Sequence, residues 1–254
     1  MPEVPTYALA WLVLAAFVAA VVDAIAGGGG VLTLPSLLAA GLPPHLALGT
    51  NKGQSVFGSA AALLRFWRAG LVHGPRARVA FPAGFVGALA GAQLVLLLSK
   101  TALRPLVLGL LVLVAVFLAV RPQQPTTVAV KTRRHPSWVA AAIALVIGAY
   151  DGFFGPGTGT FLIFAFVFFF DSDLTRASAD AKIVNFASNL ASVVLFAARG
   201  TVVWQVALPM AVAQFLGASV GAQLAVRGGD RLVRRCVLLV VTVLVVKLAL
   251  DLRG

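Results

Sequence analysis

Charged side chains are scarce in this sequence, since only 11% of its 254 residues are Asp, Glu, Lys or Arg. A soluble domain of this length carries about 25%. Hydrophobic residues make up 60% of the chain, and its mean hydropathy is +0.99. This composition excludes a soluble enzyme and predicts an integral membrane protein. At about 20 residues per helical span, the chain can hold roughly eight to ten crossings.

Cysteine and acidic residues are also few. The single cysteine, Cys236, excludes an internal disulfide and a multi-cysteine metal site. The 8 Asp and Glu residues include no pair at metal-binding spacing within a span, so neither a metal nor another cofactor is predicted. The 20 Lys and Arg residues lie mostly where apolar runs end, which is the pattern of membrane topology rather than of nucleic-acid binding.

Three apolar runs are too short to span a bilayer alone, namely residues 31–42, 138–150 and 157–170. They adjoin two glycine-rich stretches at 27–30 and 155–159. Helices are expected to break there, because glycine tolerates backbone conformations that end a helix and proline removes a backbone donor. The short runs are therefore predicted to be half-helices or re-entrant segments.

The longest polar interval, residues 121–137, is rich in Arg, Lys and Pro. It is predicted to be a cytoplasmic linker loop between a first membrane repeat, 1–120, and a second, 138–254. Basic stretches at 65–78 and 227–235 favour the cytoplasm as well. All three basic stretches lie on the cytoplasmic side if each half crosses the membrane an odd number of times. The predicted fold is thus an all-α bundle of two repeated halves, about four to five helices each, with glycine-broken half-helices and inverted pseudo-two-fold symmetry.

An internal repeat underlies the division into halves. The segment GALAGAQL at 87–94 returns as GASVGAQL at 217–224. Rarer residues recur at the same displacement, Lys52 as Lys182 and Gly70 as Gly200, and Asp23 returns as Asp151 at nearly that displacement. Chance matching of apolar residues would not recover these pairs. A tandem duplication is predicted, with a substrate site where the halves meet.

Each of the two lysines begins a polar stripe on an otherwise apolar helix. The residues expected to bind a solute are Asn51, Lys52, Gln54 and Ser55 in the first stripe and Lys182, Asn185 and Asn189 in the second. A charge in hydrocarbon costs about 2.5 to 3.5 kcal/mol by insertion scales, so it persists mainly where it faces a cavity or a partner. Two facing stripes would form an anion site. In the alternative interpretation, each lysine snorkels to the lipid headgroups.

Two isolated carboxylates, Asp23 and Asp151, precede the glycine breaks. Either they bind a coupling proton or cation, or they cap the following half-helix or pair with a lysine. The breaks also expose backbone N–H groups at the start of a helical segment, where the helix dipole favours an anion. The candidate backbone donors are Gly29, Gly30, Gly157, Thr158 and Gly159.

Four motifs stand together in this chain: GGGGVLTLP at 27–35, ALGTNK at 47–52, GPGTG at 155–159 and AKIVNF at 181–186. In these motifs, and over essentially its whole length, the chain resembles the TauE/SafE sulfite exporter family, also called the four-toluene-sulfonate uptake permease family. The resemblance implies a transporter of sulfur oxyanions or organosulfonates in the bacterial inner (plasma) membrane. Any two-fold symmetry of the site is approximate, because the position equivalent to Asn51 is alanine.

Together these observations predict a secondary transporter, not an enzyme, that exports a small sulfur oxyanion such as sulfite, or an organosulfonate, by alternating access between the repeats. The expected partners are a small anionic solute and the lipid bilayer; no nucleic acid is expected, and a homodimer is left open. Two alternatives remain. One is a passive anion channel, which the sequence separates poorly from a carrier, and the weaker one is a membrane-embedded lipid-modifying enzyme.

Overall fold

The structure, a computed structural model, describes residues 5–120, 137–170 and 172–251. These residues form nine helices and no strand, which confirms the predicted all-α class. The helices are α1 (Thr6–Ala26), α2 (Gly30–Ala39), α3 (Pro44–Arg68), α4 (Gly74–Leu97), α5 (Lys100–Val120), α6 (Ser137–Phe153), α7 (Thr158–Phe170), α8 (Leu174–Ala198) and α9 (Trp204–Asp251). Apart from Ser137, the predicted linker loop at 121–137 lies outside the described residues.

The helices have the lengths and composition of a multi-pass membrane protein. Within the described residues, four are long and apolar enough to cross a bilayer: Thr6–Ala26, Gly74–Leu97, Leu174–Ala198 and Trp204–Val233. Shorter apolar helices are Gly30–Ala39, Thr101–Val114, Ser137–Phe153 and Thr158–Phe170. The last helix, α9, is divided at Gly229, whose φ of 56° and ψ of −158° are not helical.

The helices break at the two glycine-rich stretches, as predicted. Helix α1 ends just before Gly27 (φ 76°), and α6 ends shortly before Gly155 (φ 97°). Both glycines adopt the left-handed region, which a side chain would disfavour. The half-helices that follow, α2 and α7, have only 10 and 13 residues. The two breaks touch, since a Cβ on Gly27 would lie 2.9 Å from the Cα of Gly159.

Helices α3 and α8 run antiparallel through the centre of the bundle. Near the start of α3, Gly49 packs against the backbone of Thr201, in the turn after α8. At the other end, the turn after α3 contacts the start of α8, where the backbone N–H of His73 donates to Asp180. Both helices have 25 residues. Along the sequence, the start of α8 follows the start of α3 by the same number of residues as separates Lys182 from Lys52. Antiparallel equivalent helices are what inverted halves require, although the repeat and its inversion stay predictions.

Small residues let helices of the two halves pack closely. The most extensive contacts join α4 with α6 and α1 with α9. A Cβ on Gly91 of α4 would lie 2.8 Å from the backbone nitrogen of Phe153, and one on Gly221 of α9 would lie 2.9 Å from the Cα of Val21. Such small-xxx-small faces permit close approach in membranes. The fourth helix of each half thus packs on the first helix of the other half, α4 on α6 and α9 on α1. This packing brings the two glycine breaks together.

Candidate functional site

A cavity of about 40 Å³ lies between the glycine breaks and the polar faces of α3 and α8. A water molecule needs about 10 to 15 Å³ by this kind of measure, so the cavity has room for roughly three waters or a small solute. Its wall consists of Asp23, Gly28, Gly29, Gly30, Asn51, Lys52, Ser55, Asp151, Gly155, Gly157, Thr158, Gly159, Asn185, Asn189 and Gln214. The structure thus brings the predicted site residues to one place, except Gln54 and Lys182, which do not line the cavity.

The lysine of the first stripe is buried and paired with a carboxylate. The Nζ of Lys52 lies 2.8 Å from Oδ1 of Asp151 and donates a hydrogen bond to Oδ1 of Asn189 at 3.1 Å. Only 3% of the lysine side chain is exposed. The second carboxylate oxygen of Asp151 accepts a hydrogen bond from the hydroxyl of Ser188. Lys52 therefore does not snorkel to the membrane surface.

The lysine of the second stripe has a different environment. The Nζ of Lys182 donates to both the backbone oxygen and Oδ2 of Asp23, each at 2.6 Å, and the lysine side chain is fully buried. The Oδ1 of Asp23 accepts the backbone N–H of Gly29 at 3.0 Å. Asp23 thus caps the start of α2 and pairs with a lysine, which is the second of the two predicted alternatives for it.

Each of the two ion pairs joins one half of the chain to the other, and within each pair the lysine and the aspartate balance each other's charge. Lys52 of the first half meets Asp151 of the second, and Lys182 of the second half meets Asp23 of the first. Removing four charged groups from water is costly unless they are paired and hydrogen-bonded. Each ammonium of the two predicted stripes thus has a carboxylate partner, which is the pairing with a lysine that the sequence left open for Asp23 and Asp151. An anion that enters the cavity has to compete with these carboxylates.

The carboxylates of Asp151 and Asp23 have different hydrogen-bond partners and different exposure. Ser188, which holds Asp151, occupies the place of Gly58 in the sequence repeat, and a glycine offers no hydroxyl there. Asp23 instead bonds a backbone N–H and is 29% exposed in its side chain, whereas Asp151 is 6% exposed. Asp23 is fixed by its own helix break, while Asp151 is held only by side chains among the hydrogen bonds described.

The amide of Asn51 is oriented by two donors. Its Oδ1 accepts from the hydroxyl of Thr33 at 2.6 Å and from Nε2 of Gln54 at 3.0 Å. Since both donors hold the oxygen, the NH₂ group remains for the cavity that Asn51 lines. Gln54 is fully buried and acts through Asn51 rather than at the cavity wall.

The glycines of the breaks leave room for the polar groups of the site. The N–H of Gly29 is already bonded to Asp23. A Cβ on Gly155 would lie 3.2 Å from the Nζ of Lys52, so the absence of a side chain leaves space for the ion pair. A Cβ on Gly159 would lie 3.2 Å from the Nδ2 of Asn185, again on the cavity side.

Three polar residues of the site were missed from the sequence. Gln214 lines the cavity, and Ser188 and Thr33 position its polar groups. All three are buried polar side chains within apolar helices. That signal, a polar residue at membrane depth, could have found them, because such residues rarely face lipid.

Comparison with known proteins decides the class. The family model described as sulfite exporter TauE/SafE matches residues 12–248. The chain belongs to the TauE/SafE family. Relatives of this TauE/SafE protein include "Probable membrane transporter protein ORF9" of Sinorhizobium sp, 36% identical over 99% of this chain and 96% of the relative. "Probable membrane transporter protein YfcA" of Escherichia coli K12 is 36% identical over 96% and 90%.

A "Probable membrane transporter protein" of Haemophilus influenzae is 35% identical over 96% of this chain and 95% of that protein. No solved structure matches the chain. The family match and these relatives make the TauE/SafE chain a membrane transporter that handles a small solute.

Proposed function

We propose that this protein carries a small anion, either a sulfur oxyanion such as sulfite or an organosulfonate, out of the bacterial cytoplasm across the inner membrane by alternating access between its halves. The observation that carries the proposal is the ion pair between Lys52 and Asp151, which come from opposite halves and lie buried in the wall of a small polar cavity. Membrane-buried charges of this kind usually mark a solute or proton pathway.

The chemistry of the wall suits an oxyanion. Lys52 supplies an ammonium group, and Asn51 presents an amide whose oxygen is already occupied. Asn185, Asn189 and Ser55 add amide and hydroxyl groups to the same wall. Oxygen atoms of a sulfonate or sulfite accept hydrogen bonds, and charge-assisted bonds from an ammonium are the stronger ones. The volume of about 40 Å³ favours a small anion over a large organic one.

Asp151 is the group proposed to carry the coupling proton. With both residues ionised, the pair with Lys52 is neutral, and a monoanion would bring an uncompensated negative charge into a poorly solvated cavity. When Asp151 binds a proton, the ammonium is released to pair with the anion and the cavity is neutral again. Asp23 is assigned a structural role instead, because its carboxylate caps α2 and holds Lys182.

Binding and conformational change are linked because the ion pair joins the two halves. When the anion replaces Asp151 as the partner of Lys52, a contact between the halves is lost, which favours their movement past one another. A proton that moves with a monoanion transfers no net charge. Export therefore occurs when the outward concentration gradient of the anion exceeds the inward proton gradient that opposes it.

The proposal is tested by transport of sulfite and of a simple sulfonate in proteoliposomes. Lys52→Ala is expected to abolish transport, because it removes the only ammonium on the cavity wall in the described residues. Lys182→Ala is the comparison variant: it breaks the other ion pair between the halves but leaves the ammonium of Lys52 on the cavity wall. It should keep part of the transport once folded. Unchanged flux in Lys52→Ala, or equal loss in both variants, would contradict the assignment.

A pH gradient at zero membrane potential separates a carrier from a passive channel. The carrier proposed here accumulates the sulfonate on the alkaline side, because each anion moves with a proton. A channel would leave the anion equally distributed, and that result would overturn proton coupling.

A further inference from the structure

A second cluster of charged residues lies away from the cavity, where the turn between α3 and α4 meets the start of α8. The carboxylate of Asp180 accepts the backbone N–H of His73 at 2.9 Å, and its Oδ2 lies 2.8 Å from Nη1 of Arg76. The Asp180 side chain is 1% exposed. The same guanidinium nitrogen donates to Ser172 at 2.9 Å, and the group lies 4.3 Å from the ring centre of Phe170. We call the Arg76–Asp180 pair the ionic latch.

The opposite end of the bundle has an equivalent contact without charge. There the backbone N–H of Val203 donates to Oγ1 of Thr50 at 3.0 Å. In the sequence repeat, His73 corresponds to Val203 and Thr50 corresponds to Asp180. The two contacts therefore occupy corresponding positions in the two halves. The contact at one end thus includes an ion pair, whereas the corresponding contact at the other end is a neutral hydrogen bond.

The two contacts lie on opposite sides of the cavity. At a rise of about 1.5 Å per residue, the part of α3 from Thr50 to its last residue, Arg68, separates the contacts by about 27 Å. This is close to the thickness of the hydrocarbon core, about 30 Å. Each acceptor precedes one of the two buried lysines by two residues, Asp180 before Lys182 and Thr50 before Lys52. A movement that breaks either contact therefore also moves the neighbouring lysine.

The ionic latch borders a second, larger cavity of about 280 Å³. His73, Arg76 and Asp180 line it together with Arg176. The basic stretches around this end predict that it faces the cytoplasm. A solute from the cytoplasm would reach the latch through this cavity before it reached the inner one.

We propose that the ionic latch is the cytoplasmic gate of the transporter and that the Thr50–Val203 contact is the gate at the opposite face. The proposal rests on alternating access as proposed above. It assigns Arg76 and Asp180 a gating role with no direct contact to the bound solute. Because only one gate is ionic, neutralising Asp180 weakens closure on the cytoplasmic side alone and shifts the resting population towards the inward-open state.

Sided labelling of a single cysteine tests this gate. In a Cys236→Ser background, Ser55→Cys places a thiol on the inner cavity wall. A membrane-impermeant maleimide is then applied from either side of vesicles. Asp180→Asn keeps an acceptor for the His73 N–H but removes the charge, and should label about tenfold faster from the cytoplasmic side. Thr50→Val, the matched control at the other gate, should label faster from the outside.

Further variants and outcomes bear on the latch. Arg76→Gln removes the other charge of the pair and should have the same effect as Asp180→Asn. Arg76→Asp combined with Asp180→Arg exchanges the two charges and should restore the wild-type labelling rate. If the single variants labelled faster only because they had partly unfolded, the exchange would not restore this rate. If only Thr50→Val changes labelling, the latch is overturned while alternating access stands. If no variant changes labelling on either side, or if Asp180→Asn speeds labelling equally from both sides, a sided gate is refuted.

Discussion

Replacing Asp151 by asparagine should convert the cavity into a permanent anion site. The variant keeps the shape of the side chain and an acceptor for Ser188, but it leaves the charge of Lys52 uncompensated. A monoanion about 4 Å from an unpaired ammonium gains about 4 kcal/mol at an effective dielectric constant of about 20. In the native protein most of this gain is cancelled by the carboxylate 2.8 Å from the same Nζ. Recovery of only a third of it strengthens binding about tenfold.

The assay is calorimetric binding of a simple sulfonate, which stays ionised throughout, to the detergent-purified protein at several pH values. If one proton enters with each anion, as proposed, the apparent Kd of the wild type should fall as the pH is lowered, by up to about tenfold per pH unit. In Asp151→Asn the Kd should be low and independent of pH. Its transport should persist as anion exchange that ignores a pH gradient.

The control for this variant is Asp173→Asn. Asp173 is the partly exposed N-cap of α8; it borders the second cavity but lies outside the inner one, where the anion is proposed to bind. Asparagine caps a helix about as well as aspartate, so this variant should bind and transport like the wild type. If Asp151→Asn has the same Kd and the same pH dependence as the wild type, proton coupling through Asp151 is refuted.

Three more variants and one control test the positioning of the site and the helix packing. Asp23→Asn weakens both the cap of α2 and an ion pair, so it should lower stability by about 1 to 3 kcal/mol, seen as a lower Tm, with less effect on anion affinity than the Asp151 change. Thr33→Val removes the hydroxyl 2.6 Å from the amide oxygen of Asn51 and should raise the Kd about fivefold at an almost unchanged Tm. Gly91→Ala forces a Cβ to within 2.8 Å of the α6 backbone and should cost about 1 to 3 kcal/mol, whereas Gly109→Ala meets open space and should leave the Tm near that of the wild type.

Features that depend on local chemistry could be predicted from the sequence. Composition alone places the chain in a bilayer, because too few charges are present to cover a soluble surface. The breaks at Gly27 and Gly155 follow from the left-handed backbone conformation that glycine accepts. Most of the cavity wall was also predictable, since Lys52 and the amides near it can persist at membrane depth only where they face polar groups.

Partner choice could not be predicted in the same way. Lys52 could have met either aspartate, and only the packed bundle pairs it with Asp151 of the other half and leaves Lys182 to Asp23. The members of each pair are far apart in the chain, and over such separations helical periodicity carries no information. Gln214 also reaches the cavity only because α9 packs on α3.

The sequence by itself thus determined the membrane class, the position of the helix breaks and the chemical character of the site. Only the tertiary structure decided that the buried lysines and aspartates balance each other's charge in pairs and that Arg76 meets Asp180 at one end of the bundle. The reason is physical: the polarity of a residue is a property of its own side chain, whereas the sum of charges in a cavity depends on which distant side chains the folded helices bring within hydrogen-bonding distance.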